Sequence, residues 1–222
     1  MPQDRVEAVD RALSVLSAFN EDDLGLSLAE LSRRTGLYKS TILRLLGSLK
    51  ASGFVTLGSD GLYSLGPDLW RLGSYYRRRY LPSELVMPVL ERLRNLTKET
   101  ASFYVRDGEN RICLYRVNSE RPMRHHLVQG ARLPLEKGAA GRVLLAFGPE
   151  PPISSQEVRY LGHAISLGER ESEIAAISVP VVDDDGQLLG ALAVSGLVTR
   201  FSEVACETHL DHLRQEARSL TG

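Results

Sequence analysis

The chain has 222 residues, 43% of them hydrophobic and 25% charged, a balance that excludes wholesale disorder. Its 27 basic and 28 acidic residues give a net charge of −1, so any affinity for nucleic acid or membrane must come from uneven local charge. Cys113 and Cys206 form no CxxC pair, which excludes a thiolate zinc cluster and a disulfide scaffold. No signal-like N-terminal run and no apolar stretch near the ~18 residues of a membrane span is visible, so a cytoplasmic chain with no membrane partner is expected.

The length allows one large or two ordinary domains. Residues 1–80 carry 11 basic and 9 acidic residues, and from Leu31 to Ser59 there is no acid while Arg33, Arg34, Lys39, Arg44 and Lys50 are all present. That is a local electrostatic footprint for nucleic acid. A solvated helix face is the alternative, although such faces usually mix Glu with Lys.

Val9, Leu13, Leu16 and Phe19 recur at helical spacing, with Val6, Ala12 and Val15 beside them, and predict a first helix over Val6–Phe19. Ser27, with Glu30 three residues on, predicts a capped second helix that stops at Thr35-Gly36. A third helix is expected from Tyr38 to Ser52, ended by Gly53, with Ile42, Leu45, Leu46 and Leu49 as its buried stripe. At about 100° per residue, Ser40, Arg44, Gly47 and Ser48 point the other way and Thr41 lies on the flank. Short hydrogen-bonding tips, one reaching arginine and no carboxylate suit a helix that enters the major groove. Lys39 and Ser40 at its start suit a phosphate contact. FVTLGSDGLYSL, 54–65, reads as a β-hairpin about Ser-Asp-Gly. Three helices and a hairpin make a winged helix-turn-helix; a small α/β domain with an incidentally basic helix is the rival.

The domain boundaries are placed at 1–66, 67–81 and 82–222, with Pro67 opening a helical linker. Leu85, Val86, Val89, Leu90, Leu93 and Leu96 predict a helix over Ser83–Leu96. ASFYVR and RICLYRV predict a hairpin about Asp-Gly-Glu-Asn, and Met123–Val128 a third strand, on which His125 and His126 would face opposite ways. Gly138, Ala139, Ala140 and Gly141 precede an apolar helix; small residues there serve either a carboxylate at the helix N-terminus or close helix-on-sheet packing. GPEPPISSQ, 148–156, reads as a loop. AAISVPVVDDDGQLLGALAVSG, 175–196, predicts a second hairpin with Ala191, Ala193 and Ser195 on one face and Leu192 and Val194 on the other, before a final helix from Ser202. The class is α+β, with an antiparallel sheet flanked by helices.

The string LSLAELSRRTGLYKSTILRLLGSLKASGFV, followed by a wing ending YSLG, resembles the DNA-binding domain of the IclR family of bacterial transcription regulators. LPLEKGAAGRVLLAF, GHAISLGERE and AAISVPV through AVSG resemble that family's GAF-like effector domain. The resemblance implies contacts to double-stranded operator DNA from Arg33, Arg34, Tyr38, Lys39, Ser40, Thr41 and Arg44. It implies a small-molecule effector held by Ala139, Ala140, Ser166, Ala176, Ala193 and Ser195, and a homodimer that can pair further into a tetramer. Alanine at 176 and 193 points to a larger, partly aromatic acid rather than a small hydrophilic one. Three departures stand out: Tyr38 where proline is usual, Glu136-Lys137 before the helix, and a short stretch between Phe147 and Tyr160. The last keeps open a regulator with a ligand-free sensor domain; a non-specific architectural DNA binder is the other alternative.

GxSxG, Walker, HExxH and GxGxxG patterns are missing, so neither enzymatic activity nor a cofactor is expected. Cys206, His209 and His212 on the last helix read as a surface helix face rather than a metal site. His163 is a candidate partner for an anionic effector.

Overall fold

The computed structural model describes residues 5–125 and 127–221, and the chain divides into two units, Met1–Arg79 and Tyr80–Gly222. The first opens with α1 (Glu7–Leu16), α2 (Leu28–Thr35) and α3 (Lys39–Ala51). Ser27 Oγ accepts the Glu30 amide at 3.1 Å, and Gly36, in the left-handed region at φ 71°, ends α2. Only half of the expected capping box forms, because the Glu30 carboxylate turns to Arg33 and Arg34. Ile42, Leu46 and Leu49 of α3 are buried against Val15, Leu26, Leu31 and Val55, with Leu45 packed beside them. On α1 the stripe is resolved differently from the simplest reading: Val15 is buried, whereas Val6, Val9 and Leu13 are more than half exposed.

The hairpin is present as β1 (Val55–Leu57) and β2 (Tyr63–Leu65), and Asp60 Oδ1 accepts the Leu62 amide across its turn. Leu26 and Tyr63 exchange backbone hydrogen bonds of 2.8 and 2.9 Å, so the wing is tied to the segment before α2. Pro67 starts α4 (Pro67–Arg77), a helix with no buried residue, on which Trp70 is 72% exposed and Arg77 lies over its ring.

The second unit is a six-stranded antiparallel sheet with the order β5-β4-β3-β8-β7-β6. Its strands are β3 (Thr100–Asp107), β4 (Asn110–Val117), β5 (Arg132–Pro134), β6 (Ala164–Leu167), β7 (Ile174–Val182) and β8 (Leu188–Leu197). Its helices are α5 (Ser83–Thr97), α6 (Ala139–Phe147), the short α7 (Gln156–Leu161) and α8 (Glu203–Arg218). α5 and α8 pack together and on the sheet, and Arg92 holds Glu216 across them at 2.7 Å. Tyr104, Cys113, Ala191 and Ala193 point to the opposite face and bury α6. On α5 the buried stripe is Val86, Val89, Leu90, Leu93 and Thr97; Leu85 and Leu96 sit off it, each 53% exposed. Among the described residues, no helix is long and apolar enough to cross a membrane.

Two expectations about the connecting segments are corrected. Residues 123–125, 127 and 128 do not form a strand, and His126 lies outside the described residues. The edge position beside β4 is taken by β5, while Arg116 Nη2 donates to the His125 carbonyl and holds that loop in place. The segment after Gly148 is not wholly loop, because a 3-10 turn at Ile153–Ser155 leads into α7.

Cys206 and His209 lie on the buried side of α8, not on the expected surface face, and His209 packs edge-on against Phe201 at 5.4 Å. Burial lowers the His209 pKa, partly offset by Glu99, and Nδ1 has no partner. The unfolded chain therefore binds this proton more readily. Stability contributed by the neutral ring is full above about pH 6.5 and is lost as pH falls toward the lowered folded value. The His209→Leu variant should show a shallower decline in stability between pH 7 and 5 than wild type in denaturant titrations; parallel declines would remove His209 from the acid response.

Candidate DNA interface and ligand cavity

α3 buries its leucine face, so its opposite side is presented to solvent. Lys39, Ser40 and Arg44 are exposed and Thr41 is half-buried. The first turn holds no acid, and Tyr38, the extended residue before it, is 84% exposed. Leu43, which composition alone did not single out, is 49% exposed on the flank of the same face. Apolar contact of this kind suits a thymine methyl group.

Arg33 and Arg34 part company. The Arg33 side chain is 72% exposed and grips Glu30 through Nε and Nη2, at 2.8 and 2.6 Å. Arg34 is only 21% exposed: Nη2 donates to Asp23 Oδ1 at 2.9 Å, Nη1 to the Ala18 carbonyl at 2.9 Å and Nε to Glu30 at 2.7 Å. The two guanidiniums hold the Glu30 carboxyl down at about 2. Arg34 thus clamps α2 to the preceding loop, which sets it apart from the more exposed Arg33 among the expected phosphate contacts.

In the second unit, all six residues carried over from the family pattern meet around one cavity. Ala139 and Ala140 come from the first turn of α6, Ser166 from β6, Ala176 from β7, and Ala193 and Ser195 from β8. Register explains this: Ala176 pairs with both Ser166 and Ser195, so their side chains rise from one sheet face. The space is about 460 Å³, part of it open to solvent, and no residue of the short 148–161 segment lines it.

Sequence reasoning missed Tyr104, Arg111, His125, Arg170 and Glu171, which line the same cavity. Arg111 is 4% exposed, and its Nη1 donates to the Pro134 carbonyl and, at 2.7 Å, to that of Lys137. Its Nε is buried with no partner; burial lowers its pKa, and the nearby Arg170 charge adds to the effect. The Arg111 guanidinium lies 5.7 Å over the Tyr104 ring, whose phenol burial pushes up to about 12, so it stays neutral. Gly138 donates its amide to Glu169 at 3.0 Å, and Glu169 is paired with Arg142. A Cβ at Gly141 would fall 2.1 Å from the Leu135 carbonyl oxygen, so close packing accounts for that glycine, while the two alanines face the cavity. His163 does not line it; His125 does.

Residues 8–57 match the IclR helix-turn-helix domain, and 83–156 and 153–221 match the bacterial transcriptional regulator IclR C-terminal domain. The chain belongs to the IclR family. The two C-terminal matches overlap at 153–156, across the 3-10 turn and the first residue of α7. The Pca regulon regulatory protein of Pseudomonas putida is 30% identical over 89% of this chain and 77% of its own. The IclR structure from Thermotoga maritima covers 96% of both chains with a TM-score of 0.77 at 22% identity. An IclR homologue from Microbacterium hydrocarbonoxydans, complexed with 4-hydroxybenzoate, covers 96% of this chain and 97% of its own, with a TM-score of 0.72 at 22% identity. This IclR member is a DNA-binding transcription regulator with the α+β architecture of those structures, and its relatives are regulators rather than enzymes.

Proposed function

We propose that this IclR regulator reads a pseudo-palindromic operator as a homodimer and is controlled by a small, partly aromatic organic acid. Arg111 carries the effector reading. A buried guanidinium without a carboxylate partner, beside a helix N-terminus, makes a cavity that favours an anion. The alanines at 139, 140, 176 and 193, with Tyr104, supply an apolar wall for the body of that anion. The 4-hydroxybenzoate bound by the Microbacterium relative is an acid of this class.

On the DNA side, Thr41 and Arg44 contact base edges, and Lys39, Ser40, Arg33, Tyr38 and the wing contact phosphates. One half-site offers few contacts for selectivity over a genome, so a dimer is required. The exposed apolar faces of α1, with Val9 and Leu13, and of α4, with Trp70, are its surfaces. An acid that prefers one dimer arrangement shifts the population that fits the operator.

Selection of bound DNA from a random pool, with and without 4-hydroxybenzoate, tests the proposal. The expected product is a two-fold-symmetric motif whose recovery changes with the acid. Recovery of DNA without sequence preference would overturn operator reading, and a motif indifferent to a wide panel of aromatic acids would overturn effector control.

A further inference from the structure

The rim of the cavity holds a row of polar contacts from three separate segments. Arg170 Nη2 lies 2.6 Å from His125 Nε2, and His125 Nδ1 lies 3.1 Å from Ser195 Oγ. A guanidinium only donates, so Nε2 accepts and the ring proton sits on Nδ1, from which it is donated to Ser195. The Ser195 hydroxyl, having accepted, is left to donate into the cavity it lines. His125 and Ser195 are 5% and 6% exposed, so the row is built into the protein rather than laid on its surface.

Arg170 Nη2 also donates to Glu171 Oε1, which stands 3.9 Å from His125 Nε2. Glu171 is the only carboxylate lining the cavity among the described residues, and its side chain is 51% exposed. It therefore loses little hydration in place and can turn out to water at small cost. His125, Glu171 and Ile174 also line a wider, open hollow beside Met123 and Arg124, so they form the partition between that hollow and the cavity.

We propose that Arg170 and Ser195, held in line by His125, form the anion seat of the cavity, and that Glu171 is an internal stand-in which a ligand carboxylate displaces outward through this partition. The proposal rests on reading the cavity as the effector pocket. It adds a direction: the carboxylate lies at the Arg170 end and the apolar body against Ala139, Ala140, Ala176 and Ala193. A carboxylate that replaces Glu171 on Arg170 enters a cavity also lined by Arg111, whose charge the Arg170 charge opposes.

Calorimetric titration of the full-length protein with benzoate, and with benzamide as the uncharged isostere, tests it. Glu171→Gln removes the internal competitor and keeps the shape, so benzoate affinity should rise roughly tenfold while benzamide is unaffected, since a ligand gains when its competent state is no longer masked. Arg170→Gln should lose benzoate binding and leave benzamide unchanged. Equal benzoate affinity in wild type and Glu171→Gln, or an equal gain for both probes, would overturn the seat while leaving the pocket standing. Absence of binding by either probe to every variant would overturn seat and pocket together, and operator selection would still report separately on DNA reading.

Discussion

Replacing Arg44 by alanine should weaken operator binding by roughly 1–3 kcal/mol per half-site, and so by about twice that for a symmetric dimer. The helix dictates this expectation. Ile42, Leu46 and Leu49 fix which side of α3 is buried, and Arg44 projects from the other side as its only long cationic side chain away from the two ends. A base-reading arginine loses discrimination at one operator position, whereas a phosphate-bound lysine weakens all sequences alike. Anisotropy titrations against the selected operator and its single-base variants separate the two. Melting temperature should stay put, because Arg44 contributes nothing to the core formed around Leu46. Unchanged affinity and unchanged base preference would remove Arg44 from the interface.

Glu99→Ala should destabilise the second unit by about 3–5 kcal/mol, the usual cost of stripping one partner from a buried ion pair. Glu99 is 1% exposed, and both its oxygens accept from Arg200, Nη2 meeting Oε2 at 2.6 Å. Arg121 approaches the same carboxylate at 3.8 Å. Without it, two guanidiniums are left facing each other behind β8, beside Gly196, where a Cβ would touch Glu99. Replacing Glu99 and Arg200 together by leucine and methionine should recover part of the loss. The measurement needs backbone circular dichroism in denaturant. The sole tryptophan, Trp70, lies in the first unit, and its fluorescence need not follow this transition. A loss below 1 kcal/mol by that readout would show the pair to be solvent-relaxed.

Much of the N-terminal unit was legible because its signals are local. The Ser27 cap, Gly36, the leucine spacing of α3 and the Ser-Asp-Gly turn each act within a few residues. Where two apolar stripes share a helix, periodicity alone does not say which one is buried. Val15 faces inward on α1 while Val9 and Leu13 do not, and on α5 Leu85 and Leu96 fall just outside the buried arc. The six family-derived cavity residues lay on recognisable strings, and strand register brought them together. Arg111 and His125 carry no local signature, and Arg170, although inside the string GHAISLGERE, is not marked there as a cavity residue. Each reaches the cavity from a different segment; for Arg111 the sequence hint is its place two residues from Cys113 on a strand, hence on the same sheet face. The run 123–128 looked like a strand because its apolar residues suit one, but strand formation needs a partner edge, and β5 holds it. α7, at six residues, is too short for periodicity to reveal.

The clamp formed by Arg34 has a thermodynamic consequence for the electrolyte dependence of operator binding. A side chain already neutralised by Asp23 and Glu30 does not shed a condensed cation from the duplex, so it adds nothing to the slope of log affinity against log salt, where each true phosphate contact adds about 0.9. We therefore expect Arg34→Gln to leave the salt slope of operator binding unchanged, so that the run of arginines in α2 overstates the ions released on DNA.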